Sequence, residues 1–409
     1  MTQANRTELT YRYERRRAVT TGILETAGST FMLLVAVRWF HAGAMPKALL
    51  AAGGSLGLLA TPLVVKAVEA SRIAPALAAS RLFLLGALCC AAVAAAPVLP
   101  VFVLGGMLAM ATTAATIPLM TQIYQENYPD ARRGQLFSRT VMIRIAAAAI
   151  FSDLAGRVLS GNLERFRWLL VVFAFGFVLS AWWVSHCPSQ PLPLSDGSNP
   201  FRALRFVRED ALFRRTLICW MFMGFANLMM FPMRVEYLAN PRYGLALSVT
   251  MIALLTGVIP NCARLVLSPI WGWLFDRMNF FILRVILNAG FALGILTFFL
   301  SQDTFGLVLG GLVFGVSLAG GDVAWSLWVT KFAPPERVAD YMSVHTFFTG
   351  VRGVLAPLLA FHLLGHISIS TLGWISTGLI VAASLLLLPE IKFGRTARRG
   401  TALVEDVSE

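Results

Sequence analysis

Charge is what this sequence has least of. Asp, Glu, Lys and Arg make up 13% of its 409 residues, the apolar classes make up 57%, and mean hydropathy is +0.71. A soluble domain carries about 25% charged and roughly 45–50% apolar residues, so a soluble globular chain is excluded. Cysteine is scarce too. Cys89, Cys90, Cys187, Cys219 and Cys262 lie in or at the ends of apolar runs without metal-ligand spacing, and they read as small apolar residues. The histidines, His41, His186, His345, His362 and His366, are scattered. No phosphate-binding glycine loop or nucleophile elbow occurs. Neither a metal, a cofactor nor an enzyme active site is expected. Strict alternation in runs of about ten, the mark of a membrane β-barrel, is missing from segments such as "LFLLGALCCAAVAAAPVLPVFVL".

What is present is a succession of apolar runs. A hydrocarbon core about 30 Å thick takes roughly 20 apolar residues as a helix, and helices satisfy their own backbone groups there. Twelve such spans are expected: 18–39, 46–65, 80–98, 101–123, 140–160, 167–186, 216–236, 246–270, 279–299, 305–328, 341–363 and 369–389. The fold class is an all-α polytopic membrane protein.

The basic residues set its orientation, because cytoplasmic loops keep the excess of Lys and Arg. The two termini and the loops after even-numbered spans hold 24 of the 34, with Arg277 and Arg284 assigned to the loop after span eight. The opposite side holds 7, including Arg38, Lys47 and Arg234, and Arg144, Arg264 and Arg352 fall inside spans. Both termini are expected in the cytoplasm, and the membrane is a plasma membrane (in a bacterium, the inner one). The formal charge of +13 is spread over short loops. That distribution fits contact with anionic lipid headgroups, not a nucleic-acid surface. "HAGA" after the first span loosely resembles a signal-peptide cleavage site, but Glu25 interrupts the apolar region and Arg38 follows it.

Between spans six and seven lies "CPSQPLPLSDGSNPFRALRFVREDALFRR". Its Pro, Ser and Gly break the helical pattern. An amphipathic stretch then begins at Phe201, with Leu204, Val207 and Ala211 at helical spacing and Arg202, Arg205 and Arg208 on other faces. A helix lying on the inner membrane surface is expected there. The organisation is thus a tail at 1–17, a six-helix bundle at 18–186, a central loop at 187–215, a second bundle at 216–389 and a tail at 390–409. An offset of 205 positions aligns the halves: "VLGG" at 103–106 falls on 308–311, Pro129 on Pro334, Arg132 on Arg337 and Ser138 on Ser343. Parallel repeats of six helices are the plan of one large class of secondary transporters.

The stretch "GWLFDRMNFFILR", residues 272–284, follows span eight and carries Gly272, Asp276 and Arg277. Twelve helices in two halves together with this G-x-x-x-D-R run closely resemble the major facilitator superfamily, whose loops after helices 2 and 8 carry such a signature. The resemblance implies two bundles that rock about a midplane site. It also implies an Asp that latches the cytoplasmic side against a helix start in the opposite half, here near Ser138 and Arg139. A carboxylate at a helix N-terminus meets unpaired N–H groups and the positive end of the dipole. In the first half the same positions are Ala67, Ser71 and Arg72, so only the Arg is kept. The Arg in helix 4 and the Gly-Pro pattern in helix 5 that the family associates with antiporters are not found.

Charges inside spans are expensive and usually face a cavity or a partner. Six are expected: Glu25, Arg144, Asp153, Arg264, Asp322 and Arg352. None falls in spans three, six, nine or twelve, which the superfamily fold makes peripheral. Three acids and three bases can neutralise one another across helix interfaces. The functional reading instead makes Glu25, Asp322 and Asp153 candidates for proton exchange. It makes Arg352, Arg264 and Arg144 candidates for binding an anionic solute, with Asn261 and Gln122 adding hydrogen bonds. In span eleven, Gly350, Gly353 and Pro357 allow a close approach or a bend. The expected function is secondary active transport of a small organic solute, coupled to protons, by a monomer. The alternatives are efflux of amphipathic or cationic compounds, lipid flipping, and a sensor or scaffold that does not transport.

Overall fold

The computed structural model describes residues 2–192, 201–331, 333 and 338–396. Twelve long helices account for most of them, and no strand occurs among the described residues. They are α1 Gln3–Arg38, α2 Ala44–Ser71, α3 Pro75–Ala95, α4 Leu99–Asn127, α5 Asp130–Gly161, α6 Phe166–Ser185, α7 Ala211–Ala239, α8 Val249–Arg277, α9 Phe280–Leu300, α10 Thr304–Leu327, α11 Val338–Leu363 and α12 Ile369–Thr396. Eleven are long and apolar enough to cross a membrane. The exception, α5, has the length but carries Arg144, Asp153 and Arg157 within its apolar stretch.

Local chemistry sets the ends. Asn279 Oδ1 accepts the Phe281 and Ile282 N–H groups at 2.9 and 3.3 Å, Asp303 accepts that of Gly306 at 2.7 Å, and Ser248 that of Met251 at 3.2 Å. Each satisfies a donor that the first helical turn leaves over. Pro75 opens α3, where its missing N–H is not needed. Arg72 closes α2 in the left-handed region, at φ 54°.

Two compact units result, Met1–Pro200 with Leu238–Val258, and Phe201–Tyr237 with Ile259–Glu409. The segment 238–258 counts with the first unit because the start of α8 packs on α5, where Thr250 Oγ1 donates to the Gly156 carbonyl at 3.3 Å. Inside the first unit α2 packs on α4, α3 on α4 and α3 on α6. Inside the second, α8 packs on α10, α9 on α10 and α9 on α12. The pairings repeat with a shift of six helices. The sequence offset holds at side-chain level as well: Gly105 lies against Val93, and their equivalents Gly310 and Phe298 lie against each other. The matches at Pro334 and Arg337 fall outside the described residues.

Glycine lets these helices approach, and α2 supplies an internal control. A Cβ on Gly57 would press into the Ala111 backbone, 2.9 Å from its Cα, whereas Gly54 has nothing within 4 Å. Gly57→Ala is expected to destabilise by roughly 1–3 kcal/mol through overpacking. Gly54→Ala is expected to stabilise by about 0.5–1 kcal/mol through helix propensity. Thermal unfolding of the two variants in detergent checks the opposite signs.

The structure departs from the sequence reading in several places. The stretch 3–17 continues α1 instead of forming a loose tail. Its Glu14 is buried, bonded to Arg17 Nε at 2.6 Å and accepting from Tyr124 Oη of α4 at 2.6 Å. The amphipathic stretch is not one continuous helix. A short helical segment spans 202–209 and ends at Asp210, whose carboxylate accepts the Phe213 N–H at 2.9 Å and Tyr341 Oη at 3.0 Å. Phe206 is buried and stacks on Tyr341 of α11 at 4.8 Å, whereas Phe201 and Ala211 stay exposed and Leu204 and Val207 are half-buried. Residues 193–200 of the central loop and 397–409 of the C-terminal tail lie outside the described residues.

Candidate functional site

In the second unit the site begins with a close helix approach. A Cβ on Gly315 of α10 would come within 2.6 Å of the Pro260 carbonyl and 2.7 Å of Ala263 Cβ in α8. Two turns further along α10, Asp322 accepts from Arg264 Nη2 at 2.7 Å and Nε at 3.1 Å, while Arg264 Nη1 donates to Asn261 Oδ1 at 2.7 Å. The Arg264 side chain is 9% exposed and that of Asp322 44%. A nearly buried cation is therefore held by a carboxylate that solvent or solute reaches. Protonation of Asp322 removes the charge that holds Arg264.

In the first unit, Gly22 of α1 sits against the Arg144 carbonyl of α5. One turn on, Glu25 and Arg144 form an ion pair at 3.3 Å, with side chains 29% and 33% exposed. Asp153 is not drawn into that pair. It bonds Arg157 one turn along the same helix at 2.9 Å, with Arg157 70% exposed, which makes it a surface pair. Gln122 donates to Glu126 on its own helix at 2.8 Å. Of the six expected charges, four form two inter-helix pairs, Asp153 finds a neighbour that was not considered, and Arg352 pairs with no acid.

Arg352 is buried in α11 and turns toward α7. Its Nη1 donates to the Trp220 carbonyl and its Nη2 to Thr349 Oγ1 at 3.2 Å. Gly224, one turn after Trp220, leaves the space that this guanidinium fills. Gly350, Gly353 and Pro357 are buried in the same helix, which runs without a break from Val338 to Leu363.

Two basic residues were misplaced by sequence. Arg284 is no loop residue: it lies in α9, 2% exposed, with its guanidinium 3.7 Å from the Trp220 ring centre. A charge therefore does occur in a span expected to be peripheral and uncharged. Arg234 is buried in α7 over the Phe231 and Phe314 rings, at 4.2 and 4.9 Å. The signal was available, since the apolar run of α9 starts at Phe280, ahead of Arg284, and that of α7 extends past Arg234. Trp220, Gly224 and His345 carried no such signal.

The signature residues stand at the end of α8. Asp276 and Arg277 are exposed, with the Arg277 guanidinium 4.6 Å from the Trp273 ring centre, and nothing lies within 4 Å of a Cβ on Gly272. Lys331 is buried nearby, its ammonium 4.6 Å from the Phe275 ring centre. Burial lowers its pKa below the ordinary lysine value, and the Asp276 carboxylate opposes that shift. Ser138 and Arg139 are not at a helix start, because α5 already begins at Asp130. Their N–H groups lie more than two turns inside the helix, so no free helix end stands there to meet a carboxylate.

Two π-helical turns also meet within the first unit, Ala27–Phe31 in α1 and Leu254–Val258 in α8. Thr30 and Thr256 hydroxyls bond across them at 3.1 Å, and π turns frequently mark functional positions. A cleft of about 490 Å³ lined by Asn162, Glu164, Arg165, Arg167 and Trp168 includes none of the intramembrane charges.

The fold is that of an all-α polytopic membrane protein. Residues 239–405 match the family model described as Major Facilitator Superfamily. No curated protein matches the sequence. Among solved structures, the chain is similar to the nucleoside transporter NupG, with a TM-score of 0.71 and 15% identity over 94% of this chain and 99% of that one. It is similar to a D-xylose-proton symporter, with a TM-score of 0.66 and 14% identity over 99% and 98% of the two chains. It is also similar to a POT family transporter solved with a thioalcohol conjugated peptide, with a TM-score of 0.69 and 12% identity over 96% of each chain. The chain thus has the fold of these solved structures, as the resemblance implied, and its second half matches the family model.

Proposed function

We propose that this chain is a secondary active transporter that moves a small polar organic solute by alternating access and couples the movement to protons. The observation that carries this reading is the Arg264–Asp322 pair, a nearly buried guanidinium held by a half-exposed carboxylate within apolar helices. Asp322 is the group to which this reading assigns the exchanged proton. Once neutral it no longer competes for Arg264, whose planar donors then meet an anionic or strongly polar group of the solute. Asn261 keeps the guanidinium in place through the exchange. Glu25 with Arg144 is the corresponding exchangeable pair of the first unit. The similar structures, a nucleoside transporter, a D-xylose-proton symporter and a POT family transporter in complex with a thioalcohol conjugated peptide, support a solute of this size class. Asp276, beside Lys331, is the residue assigned to cytoplasmic gating, and both termini are assigned to the cytoplasm.

The test is uptake into proteoliposomes of a panel of nucleosides, pentoses, short peptides and small organic acids, with and without an inward proton gradient. Accumulation of one class only under the gradient is the expected result. Equally fast uptake with and without it would remove proton coupling and leave facilitated diffusion.

A further inference from the structure

Besides Arg264, paired with Asp322, and Arg234, which lies over Phe231 and Phe314, the second unit buries two guanidiniums beside a single indole. Arg284 of α9 and Arg352 of α11 are 2% and 4% exposed. Both face the indole of Trp220, with their guanidinium carbons 3.7 and 5.8 Å from the ring centre, so the two charges lie closer together than the sum of those distances. Neither forms an ion pair among the described residues. Arg284 Nη2 reaches only Met223 Sδ, at 3.1 Å. Its Nη1, the Nε of Arg352, the Nε1 of Trp220 and both nitrogens of His345 are buried without a hydrogen-bond partner. His345 is itself fully buried, its ring 5.2 Å from that of Trp220.

This arrangement is not self-sufficient. Arginine does not release its proton in a protein, and an isolated buried ion is among the most expensive groups to place in an apolar interior. Two like charges over one ring add repulsion to that penalty. Stacking on an indole returns only about 0.5–2 kcal/mol for each cation. The unused groups are nearly all N–H donors converging from α7, α9 and α11, and a cluster of donors around two positive charges lacks an acceptor that is negative.

We infer that Arg284 and Arg352, with Trp220 and His345, hold a small anion of halide or carboxylate size as a resident component of the second unit. The site uses α9, and it does not depend on the reading of Arg264 and Asp322 or on transport at all. A small monovalent ion fits because these groups are buried and the donors few. Gly224 leaves the space in which the Arg352 guanidinium sits.

The experiment uses the full-length protein in detergent, exchanged into a buffer whose anion is gluconate. Thermal unfolding is followed as gluconate is replaced by chloride or by formate at constant ionic strength. A ligand that binds only the native state raises the midpoint by mass action, by about 5 °C at roughly a hundredfold excess over Kd. A saturable rise with chloride, formate or both is expected, and which anion saturates first separates a halide from a carboxylate occupant. Arg284→Gln and Arg352→Gln should each abolish the saturable part, Arg284→Lys should keep it, and Arg15→Gln, at an exposed position, should leave it unchanged. A midpoint indifferent to both anions, or a linear drift shared by all variants, overturns the inference. The wild-type titration decides this alone if the Gln variants do not fold.

Discussion

Asp322→Asn is expected to abolish proton-driven accumulation while leaving solute exchange across the membrane at close to its normal rate. In the native protein each pH unit of gradient stores about 1.4 kcal/mol per proton, enough for about tenfold accumulation at one proton per solute. An amide of the same shape still accepts a hydrogen bond from Arg264 and keeps the 2.7 Å contact feasible, but it carries no exchangeable proton. Concentrative uptake should fall to the equilibrium ratio, whereas counterflow, which needs no net proton movement, should persist. The measurement is paired uptake and counterflow in proteoliposomes over a one-unit gradient. An Asn variant that still accumulates solute would move the proton to Glu25, and Glu25→Gln should then show the same dissociation of the two assays. Asp322→Ala is a different perturbation. It strands a guanidinium that is 9% exposed, at roughly 1–3 kcal/mol, less than for a fully buried pair because Asp322 is itself well exposed.

Gly22→Ala is expected to lower the unfolding midpoint by roughly 3–8 °C. The added methyl group would press on the Arg144 carbonyl and lie 2.9 Å from Ala147 Cβ and 3.0 Å from the Ala148 nitrogen. Two of those atoms are helix backbone, which no side-chain rotation relieves, so α1 has to move away from α5. Overpacking of this kind costs about 1–3 kcal/mol, occasionally more, and each kcal/mol is worth roughly 2–4 °C in a unit of this size. The displacement also separates Glu25 from Arg144. Glu25→Gln alone should cost about 1 kcal/mol or less, because both side chains of that pair are partly exposed. Fluorescence-monitored unfolding of the two variants separates packing from charge. If Gly22→Ala melts with the wild type, the close approach of α1 and α5 is not a determinant of stability.

The contrast between Gly22 and the charges beside it shows where sequence stops being informative. Hydrophobic runs marked twelve spans in the sequence, and eleven of the twelve helices are long and apolar enough to cross a bilayer, where every backbone group must find its partner within its own helix. The register of the repeat was also legible: the shared "VLGG" placed Gly105 and Gly310 at equivalent contacts, against Val93 and Phe298. Six of the charges within spans were legible too, since an Asp or Arg inside an apolar run declares itself, while Arg234 and Arg284 were not.

Their partners were not. Glu25 and Arg144 are 119 positions apart and Arg264 and Asp322 are 58 apart, and nothing in either run says which face each residue takes. Arg284 was assigned to a loop although it lies inside the apolar run of α9, because a single basic residue near a span end serves topology or a buried site equally well on paper. Which of these it does depends on Trp220, Gly224, His345 and Arg352, which come from two other helices and meet it only in the folded unit. Length and hydropathy therefore determined the fold class, an all-α chain of membrane-spanning helices. Tertiary packing decided which charges are paired, which are buried without an acid and which face solvent, because those outcomes depend on distances between helices that the linear sequence does not contain.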